Sequence, residues 1–194
     1  MYLMKNQIRN YISESLSVKE QLLNDEFILK KIEETVLLVE NAYQNGKKIL
    51  LAGNGGSAAD AQHISTELVS RFIKERPALN ALALTTNTSI LTAIGNDYSN
   101  DYIFARQIEA FGSEGDVFIA ISTSGNSTNI INSINTARDR GLKVVGLTGC
   151  SPCKMDNISD LLIKVPSNKT SIIQEAHIMI GHIICGLVEE ALFS

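Results

Sequence analysis

Residues 47–63 read KKILLAGNGGSAADAQH and carry the first indication of the architecture. A short apolar run leads into a glycine-rich turn, and helix-forming residues follow the turn. Such a unit brings backbone N–H groups and the positive end of a helix to one point, where they bind phosphate or other polar ligand groups. The stretch therefore predicts a buried strand, a ligand-binding loop and a helix.

Four further runs share the character of this first strand. Each is continuously apolar rather than alternating, as is typical of parallel strands covered on both faces, and segments long enough for helices lie between them. The pattern predicts an α/β fold, a three-layer doubly wound sandwich whose parallel sheet has the flavodoxin-like strand order 2-1-3-4-5. The five predicted strands are residues 47–53, 79–85, 116–122, 143–149 and 161–166.

Helical segments flank these strands. Residues 5–46 have helical periodicity, and residues 170–192 form a helix that is apolar around most of its circumference. Surplus apolar surface of this kind is buried against other helices or another subunit. We expect residues 1–194 to form a single domain, with residues 1–46 as a helical extension used in packing and oligomerisation.

The composition is that of an ordinary globular protein, with 44% hydrophobic residues and a formal net charge of −4. This charge argues against nucleic acid as a partner, because nucleic-acid binding needs clustered Lys and Arg. The N-terminus lacks the apolar core of a signal peptide, and the most apolar segment, residues 177–188, is shorter than the roughly 20 residues that span a bilayer. We expect a cytoplasmic protein with no membrane partner.

Cys150 and Cys153 form a CSPC motif, interpreted as reduced thiols in a loop, because a zinc ribbon needs a second pair and only Cys185 remains.

The glycine-rich turn admits two nucleotide interpretations, and each lacks a residue that it needs. Residues 53–58 match the dinucleotide motif G-x-G-x-x-G/A, but the second predicted strand ends in ALTTNT (residues 83–88), without the acidic residue that binds the ribose. A triphosphate-binding P-loop needs Gly-Lys-Ser/Thr, and that tripeptide does not occur. Neither nucleotide is favoured.

A second loop, STSGNS at residues 122–127, follows the third predicted strand and opens a helix. Its four hydroxyl groups and its backbone N–H groups at a helix N-terminus form a phosphate site that needs no lysine. If the first and third strands are neighbours, both loops face one crevice at the carboxyl ends of the strands. We expect a ligand's phosphate on the second loop and its hydroxyl groups on the first.

Ionisable side chains follow on the neighbouring helices. His63 and Glu67 are four residues apart on one helix face, where they bind a metal, share acid–base work, or form a simple solvated pair. The last helix adds Gln174, Glu175, His177 and His182. Spacing favours Glu175 over Gln174 as the partner of His182 and leaves the ligand set open.

Four separated motifs are GNGGSAADAQH (53–63), TAIGNDY (92–98), ISTSGNS (121–127) and IQEAHIMIGH (173–182). Their order and spacing over nearly the whole chain resemble those of the bacterial phosphoheptose isomerases, a group within the sugar isomerase (SIS) domain family. The resemblance implies a cytoplasmic homotetramer with active sites between subunits and one Zn²⁺ per subunit. It also implies an isomerase that interconverts sedoheptulose 7-phosphate and D-glycero-D-manno-heptose 7-phosphate through an enediol, the first step towards activated heptose for lipopolysaccharide or capsule.

The family's residue roles carry over to the matching positions of this chain. Glu67 becomes the base and His182 the acid, although a zinc-bound carboxylate or imidazole is a poor proton shuttle and the division of roles stays open. The implied zinc ligands are His63, Glu67, Gln174 and His182, so the resemblance selects Gln174 where spacing favoured Glu175. The implied substrate-binding residues are Asn54, Gly55, Gly56, Ser57, Glu67, Asn96, Asp97, Ser122, Thr123, Ser124, Ser127 and Gln174.

One position departs from the family pattern. The family commonly has Asp three residues before the ligand Gln, and Ser171 in this chain cannot supply that fixed negative charge. Arg71 and Arg106 offer positive charge near the site, but exposed positions on helices are the favoured interpretation for both.

Three alternative functions accompany this fold. Some SIS proteins bind a protein partner instead of catalysing, including a relative that associates with the bacterial replication initiator, and the presence of Glu67 and His182 favours the enzyme. A sugar-phosphate-sensing regulator would carry a DNA-binding module, yet the 46 residues before the first strand have no basic helix-turn-helix pattern. An isomerase or lyase of another phosphosugar is separated only by substrate tests.

Overall fold

The computed structural model describes residues 2–194, with side chains from residue 3 onward. The strands are β1 (Ile49–Gly53), β2 (Ala81–Ala83), β3 (Val117–Ile121), β4 (Lys143–Gly149) and β5 (Leu161–Val165). The α-helices are α1 (Tyr2–Leu23), α2 (Glu26–Gln44), α3 (Gly56–Val69), α4 (Thr88–Asp97), α5 (Ala105–Phe111), α6 (Thr128–Asp139) and α7 (Thr170–Phe193). Two short 3-10 helices span Asn100–Tyr102 and Lys154–Asn157.

All strand pairs are parallel, and the sheet order is β2-β1-β3-β4-β5, which confirms the predicted order 2-1-3-4-5. Each strand lies within a predicted run. The largest difference is β2, which keeps three of the seven predicted residues. It is an edge strand, and its ladder to β1 joins three residue pairs.

Alternate strand residues point into two separate cores. Leu51, Ile119 and Leu147 pack in the core that contains α2, α3 and α7. Leu50 and Phe118 point the other way, into the core that contains α5 and α6. The sheet is therefore the middle layer, and the predicted three-layer sandwich is confirmed.

The predicted N-terminal helical region consists of two helices. Asp25 separates them, since its carboxylate accepts hydrogen bonds from the backbone N–H groups of Phe27 and Ile28 and caps α2. Whereas α2 packs on the sheet, α1 buries Val18 and Leu22 and leaves much of its apolar surface exposed.

Within the described residues, α7 is the longest helix, with 24 residues and a hydropathy of 1.5. By length and composition alone, it is long and apolar enough to cross a membrane. In the fold it packs against α2, α3 and the sheet, with Ile173, Ile180 and Val188 buried in the core. This burial accounts for part of the apolar surface of α7, while Ile183 and Leu187 remain exposed.

Candidate active site

Both predicted loops lie at the carboxyl edge of the sheet. β1 ends at Gly53 and β3 at Ile121, and these two residues are partners in the ladder. The GNGG turn that opens α3 therefore lies beside the STSGNS loop that opens α6. The expected adjacency of the first and third strands is confirmed, and the two loops share one crevice.

A cavity of about 250 Å³, here called the hydroxyl pocket, lies between the two loops. The buried Ser122 hydroxyl lies 3.2 Å from that of Ser127. Ser124 is not among the lining residues of this pocket. Its hydroxyl accepts a hydrogen bond from the N–H of Asn126, and with Thr123 it lines a neighbouring cavity of about 350 Å³. The pocket is lined by Asn54, Gly55, Gly56, Ser57, Ile121, Ser122, Thr123, Ser127, Thr170 and Gln174. Hydroxyl groups and two helix N-termini meet here, an arrangement suited to a phosphate group.

A pair of side-chain amides joins the two loops. The Nδ2 groups of Asn54 and Asn129 each donate to the Oδ1 atom of the other, at 2.9 Å in both directions. Asn54 belongs to the GNGG turn, and Asn129 lies in the first turn of α6. The pair therefore fixes the Asn54 amide at the wall of the hydroxyl pocket.

The CSPC segment supports the STSGNS loop from behind. Gly125 has a φ of 63°, and a Cβ there would collide with Cys153 and lie 2.8 Å from Thr148 Oγ1. The N–H of Met155 donates to the Gly125 carbonyl at 3.3 Å. Cys150 is exposed and Cys153 is half-buried, and neither forms a disulfide in the described residues.

His63, Glu67 and His182, called the triad below, converge where α3 and α7 lie side by side. His63 Nε2 lies 3.2 Å from Glu67 Oε1 and 2.9 Å from His182 Nε2. One ligand atom from each residue lies within 4.8 Å of the others. Two imidazole nitrogens and a carboxylate oxygen that face one point are the donor set of a catalytic zinc site, so these residues fit such a metal.

The two neighbouring candidates for a fourth ligand face different parts of the molecule. The Gln174 amide lines the hydroxyl pocket and packs on Gly56, where an added Cβ would lie 2.5 Å from Nε2. Glu175 accepts a hydrogen bond from Ser15 on α1 and lies 3.9 Å from Lys19 Nζ. Spacing favoured Glu175, but its carboxylate is directed to α1, whereas the Gln174 amide faces the hydroxyl pocket.

Asn96 and Asp97 are exposed at the end of α4, where Asn96 Nδ2 donates to Asp97 Oδ1 at 2.9 Å. They do not belong to the lining of the hydroxyl pocket. A larger cavity of about 540 Å³ lies between α4 and the GNGG turn, lined by both Asn54 and Gly95. Asn96 and Asp97 line neither cavity, although the preceding residue, Gly95, lines the larger one.

Ser171 is exposed in the first turn of α7. Arg106 is exposed on α5 and forms an ion pair with Glu109 at 2.7 Å, as expected for a surface helix. Arg71 is also exposed, 3.8 Å from Glu75, but it lies just beyond the end of α3 rather than within a helix. In this structure both arginines are engaged with surface carboxylates.

Comparison with known proteins places the chain in a family. The model of the SIS domain matches residues 10–149. A phosphoheptose isomerase of Aneurinibacillus thermoaerophilus is 58% identical over 98% of this chain and 96% of that protein. The chain belongs to the phosphoheptose isomerase family of SIS-domain proteins.

Solved structures of phosphoheptose isomerases share the fold. The Neisseria gonorrhoeae structure has a TM-score of 0.90 at 38% identity and covers 96% of this chain and 99% of its own. The Francisella tularensis structure has a TM-score of 0.93 at 35% identity and covers 96% and 98%. Membership of the phosphoheptose isomerase family identifies the chain as an enzyme of the isomerase class.

Three residues beside the candidate site were not predicted from the sequence motifs. Nothing in the sequence points to Asn129, which pairs with the GNGG turn, or to Phe72, whose ring lies 5.6 Å from that of His182 between centroids. Asp60 precedes His63 by one helical turn, a spacing that could have indicated it. Its Oδ2 atom is buried without a hydrogen-bond partner among the described residues. Burial raises the pKa of Asp60 to about 6, against the opposing influence of His63.

Proposed function

We propose that the protein isomerises sedoheptulose 7-phosphate to D-glycero-D-manno-heptose 7-phosphate, the first step towards activated heptose for lipopolysaccharide or capsule. One observation carries the proposal. The hydroxyl pocket and the triad lie along the same pair of helices, α3 and α7, in a chain 58% identical to a phosphoheptose isomerase. In this proposal the hydroxyl pocket at the N-terminal ends of these helices is the phosphate site, and proton transfer takes place at the triad further along them.

Ser122, Thr123, Ser124 and Ser127 hold the phosphate in this proposal. The converging hydroxyls of Ser122 and Ser127 and the N-terminus of α6 support that role. The sugar lies on Asn54, Gly55, Gly56, Ser57, Asn96 and Asp97. The cavity of about 540 Å³ beside the GNGG turn gives a seven-carbon chain room to reach α4.

The reaction moves one proton between neighbouring carbons. Glu67 removes a proton from C1 of the ketose while the C2 carbonyl oxygen is protonated, which gives the enediol. The same carboxylic acid returns a proton to C2 as the C1 hydroxyl loses its own, which leaves the aldehyde. His182, in contact with His63 beside Glu67, is the acid that exchanges protons with the two oxygens.

His63, Glu67, Gln174 and His182 hold one Zn²⁺ per subunit in this proposal. When bound, zinc supplies Lewis acidity at the C1 and C2 oxygens. The convergence of the triad supports three of these ligands, and the Gln174 amide faces the same crevice from the wall of the hydroxyl pocket. Gln174 also contacts the substrate.

The whole chain acts as one SIS domain in a cytoplasmic homotetramer with sites between subunits. Residues 1–46 serve in packing and oligomerisation. Apolar side chains exposed on α1, such as Leu3 at 77% and Leu16 at 59%, support a buried interface, as does an apolar groove between α2 and α7. Light scattering measures the expected mass of about four chains.

The test of the reaction is proton NMR of the purified protein with sedoheptulose 7-phosphate in deuterium oxide, with and without a chelator. We expect the aldose to form with deuterium at C2, because the proton carried by Glu67 exchanges with solvent. Chelation should suppress the conversion, and added zinc should restore it. Fructose 6-phosphate is the matched control for another phosphosugar.

No conversion of either sugar under any metal condition would overturn the proposal. The alternative would then be a non-catalytic SIS protein that binds a protein partner, with pull-downs as the next experiment. Conversion of fructose 6-phosphate alone would assign the site to another phosphosugar. Aldose formed without deuterium at C2 would point to a hydride shift or a shielded proton instead of an exchanging base.

A further inference from the structure

A buried ion pair lies two helical turns beyond His182 on α7. Arg76 Nε donates to Glu189 Oε2 at 3.0 Å, and the two side chains are 1% and 2% exposed. A buried pair is tolerated only where its remaining hydrogen-bonding groups are also satisfied. The partners of those groups connect this pair to the triad.

The Glu189 carboxylate binds the segment that follows α3, at residues 72–74. It accepts hydrogen bonds from three consecutive backbone N–H groups, those of Phe72 at 3.0 Å, Ile73 at 2.8 Å and Lys74 at 2.7 Å. Burial alone would raise the pKa of Glu189, but these donors and Arg76 outweigh burial and lower the pKa to about 2. The segment is thus wrapped around a fixed negative charge on α7.

The Arg76 guanidinium holds the end of α3. Its Nη2 group donates to the carbonyl of Glu67 at 2.8 Å, and its Nη1 group donates to the carbonyl of Leu68 at 2.7 Å. Carbonyls in the last turn of a helix have no partner within the helix. Arg76 supplies partners at the residue that carries the triad carboxylate.

The wrapped segment also places an aromatic ring. The Phe72 ring lies against the imidazole of His182, with centroids 5.6 Å apart and planes at 30°. A Cβ at Gly186 would come within 3.2 Å of Phe72 Cε1, so glycine at this position of α7 leaves room for the ring. One face of His182 is therefore set by a residue whose backbone is bound to Glu189.

We propose that Arg76 and Glu189 are positioning residues for the isomerase site, which hold Glu67 through its backbone and His182 through Phe72. The assignment of the triad to proton transfer rests on the proposed function. The positioning itself concerns the geometry of three side chains and is measurable without turnover. Substitution of a residue that orients metal ligands without binding the metal itself typically lowers metal affinity or activity by about 10-fold to 100-fold.

The experiment compares Glu189→Gln with the wild-type protein. Gln keeps the size of Glu but brings an N–H₂ group towards backbone N–H donors, so the segment at residues 72–74 loses an acceptor. Arg76→Lys keeps the positive charge but removes the guanidinium that donates to the carbonyls of Glu67 and Leu68. If Glu189→Gln does not fold, Arg76→Lys provides the test of positioning. Phe72→Leu removes only the ring.

Three readouts separate positioning from stability. In chelator-treated protein, the His182 ring proton signals should move in Glu189→Gln towards their positions in Phe72→Leu. Visible absorption of added Co²⁺ should show affinity lowered by about 10-fold. Turnover should fall at least about 10-fold while KM stays within about two-fold, because the hydroxyl pocket is untouched.

Asp116→Asn is the matched control. Asp116 is 1% exposed, pairs with Lys48 Nζ at 2.6 Å and accepts backbone N–H bonds, but it lies at the opposite edge of the sheet. The Asp116→Asn variant should be less stable than the wild-type protein without changing any of the three readouts. If Glu189→Gln and Arg76→Lys behave like this control, the pair is structural only and the inference is overturned. Wild-type protein that fails to isomerise would refute the proposed function alone, since the His182 signals would still decide the positioning.

Discussion

Gln174 and Glu175 are adjacent in the sequence, yet they serve different parts of the molecule. The carboxylate is hydrogen-bonded to Ser15 on α1, and the amide lies on Gly56 at the wall of the hydroxyl pocket. Successive helical residues point about 100° apart, so the choice between them depends on how α7 is rotated against α3. Residue spacing along one helix gives no information about that rotation. The family resemblance does, because the family pattern already assigns the ligand position to Gln174.

Glu67→Gln keeps the size of the side chain and removes the proposed base. We expect turnover at least about 10²-fold lower in a folded protein, since a general base contributes about 10² to 10⁴. Steady-state kinetics with sedoheptulose 7-phosphate, together with metal analysis of the same samples, measure the effect. Glu34→Gln on α2, where the carboxylate pairs with Lys31, is the control and should keep full turnover. Near-full activity in Glu67→Gln would remove Glu67 as the base.

At the scale of elements, the STSGNS loop depends on a segment that follows another strand. Gly125 packs on Cys153, and its carbonyl accepts a hydrogen bond from Met155 in the 3-10 helix after β4. A phosphate-binding role for the loop was predicted from its own hydroxyls and glycine. Its support was not, because nothing local relates residues 125 and 153.

Gly125→Ala tests this support. Alanine is strained at a φ of 63°, and its Cβ would displace either the loop or Cys153. We expect KM for the sugar phosphate to rise at least about 10-fold, since each 1.4 kcal/mol of lost binding is worth that factor.

Gly46→Ala is the control for strain alone. Gly46 also has a positive φ, 68°, but open space surrounds its Cβ position, at the far end of α2. This variant should lose about 1 kcal/mol of stability and keep its KM. Equal KM values in the two variants would show that Cys153 does not shape the loop.

At the scale of the whole molecule, His177 links the last helix, α7, to the carboxyl end of β4, a strand outside the final β5–α7 unit. It is fully buried on α7, and its Nε2 lies 3.3 Å from the Thr148 carbonyl at the end of β4. Burial lowers the pKa of His177 to about 4, although the contact with Thr148 opposes that shift. The folded protein therefore holds this imidazole neutral where the unfolded chain would protonate it.

This difference predicts a pH dependence of stability. Between about pH 6.5 and pH 4 the unfolded chain binds more protons, so the stabilisation is complete above pH 6.5 and is lost as the pH falls towards 4. For the wild-type protein we expect His177 to account for about 2 kcal/mol of the decrease in unfolding free energy from pH 7 to pH 5. Urea denaturation at fixed protein concentration measures it.

His177→Gln is the comparison, because Gln can still donate to the Thr148 carbonyl but does not titrate. The variant should have a flatter profile by that amount, whatever its stability at pH 7. Parallel profiles for the two proteins would contradict the assignment to His177.

The strands and the two glycine-containing loops followed from the sequence, because apolar runs and glycine-rich turns are properties of consecutive residues. The strand order was predicted by analogy with the flavodoxin-like arrangement, since it depends on which strands pair across the sheet. The pairing of His63 with Glu67 followed for the same reason, since four residues make one turn of a helix. The junction with His182, 119 positions away, was indicated only through family resemblance.

Three features could not be predicted from the sequence pattern. They are the Arg76–Glu189 pair, the amide pair of Asn54 with Asn129 and the different directions of Gln174 and Glu175. Each depends on how α7 and α6 are rotated and seated against elements far away in the chain. That placement results from close packing of both cores at once, and no local run of residues encodes it.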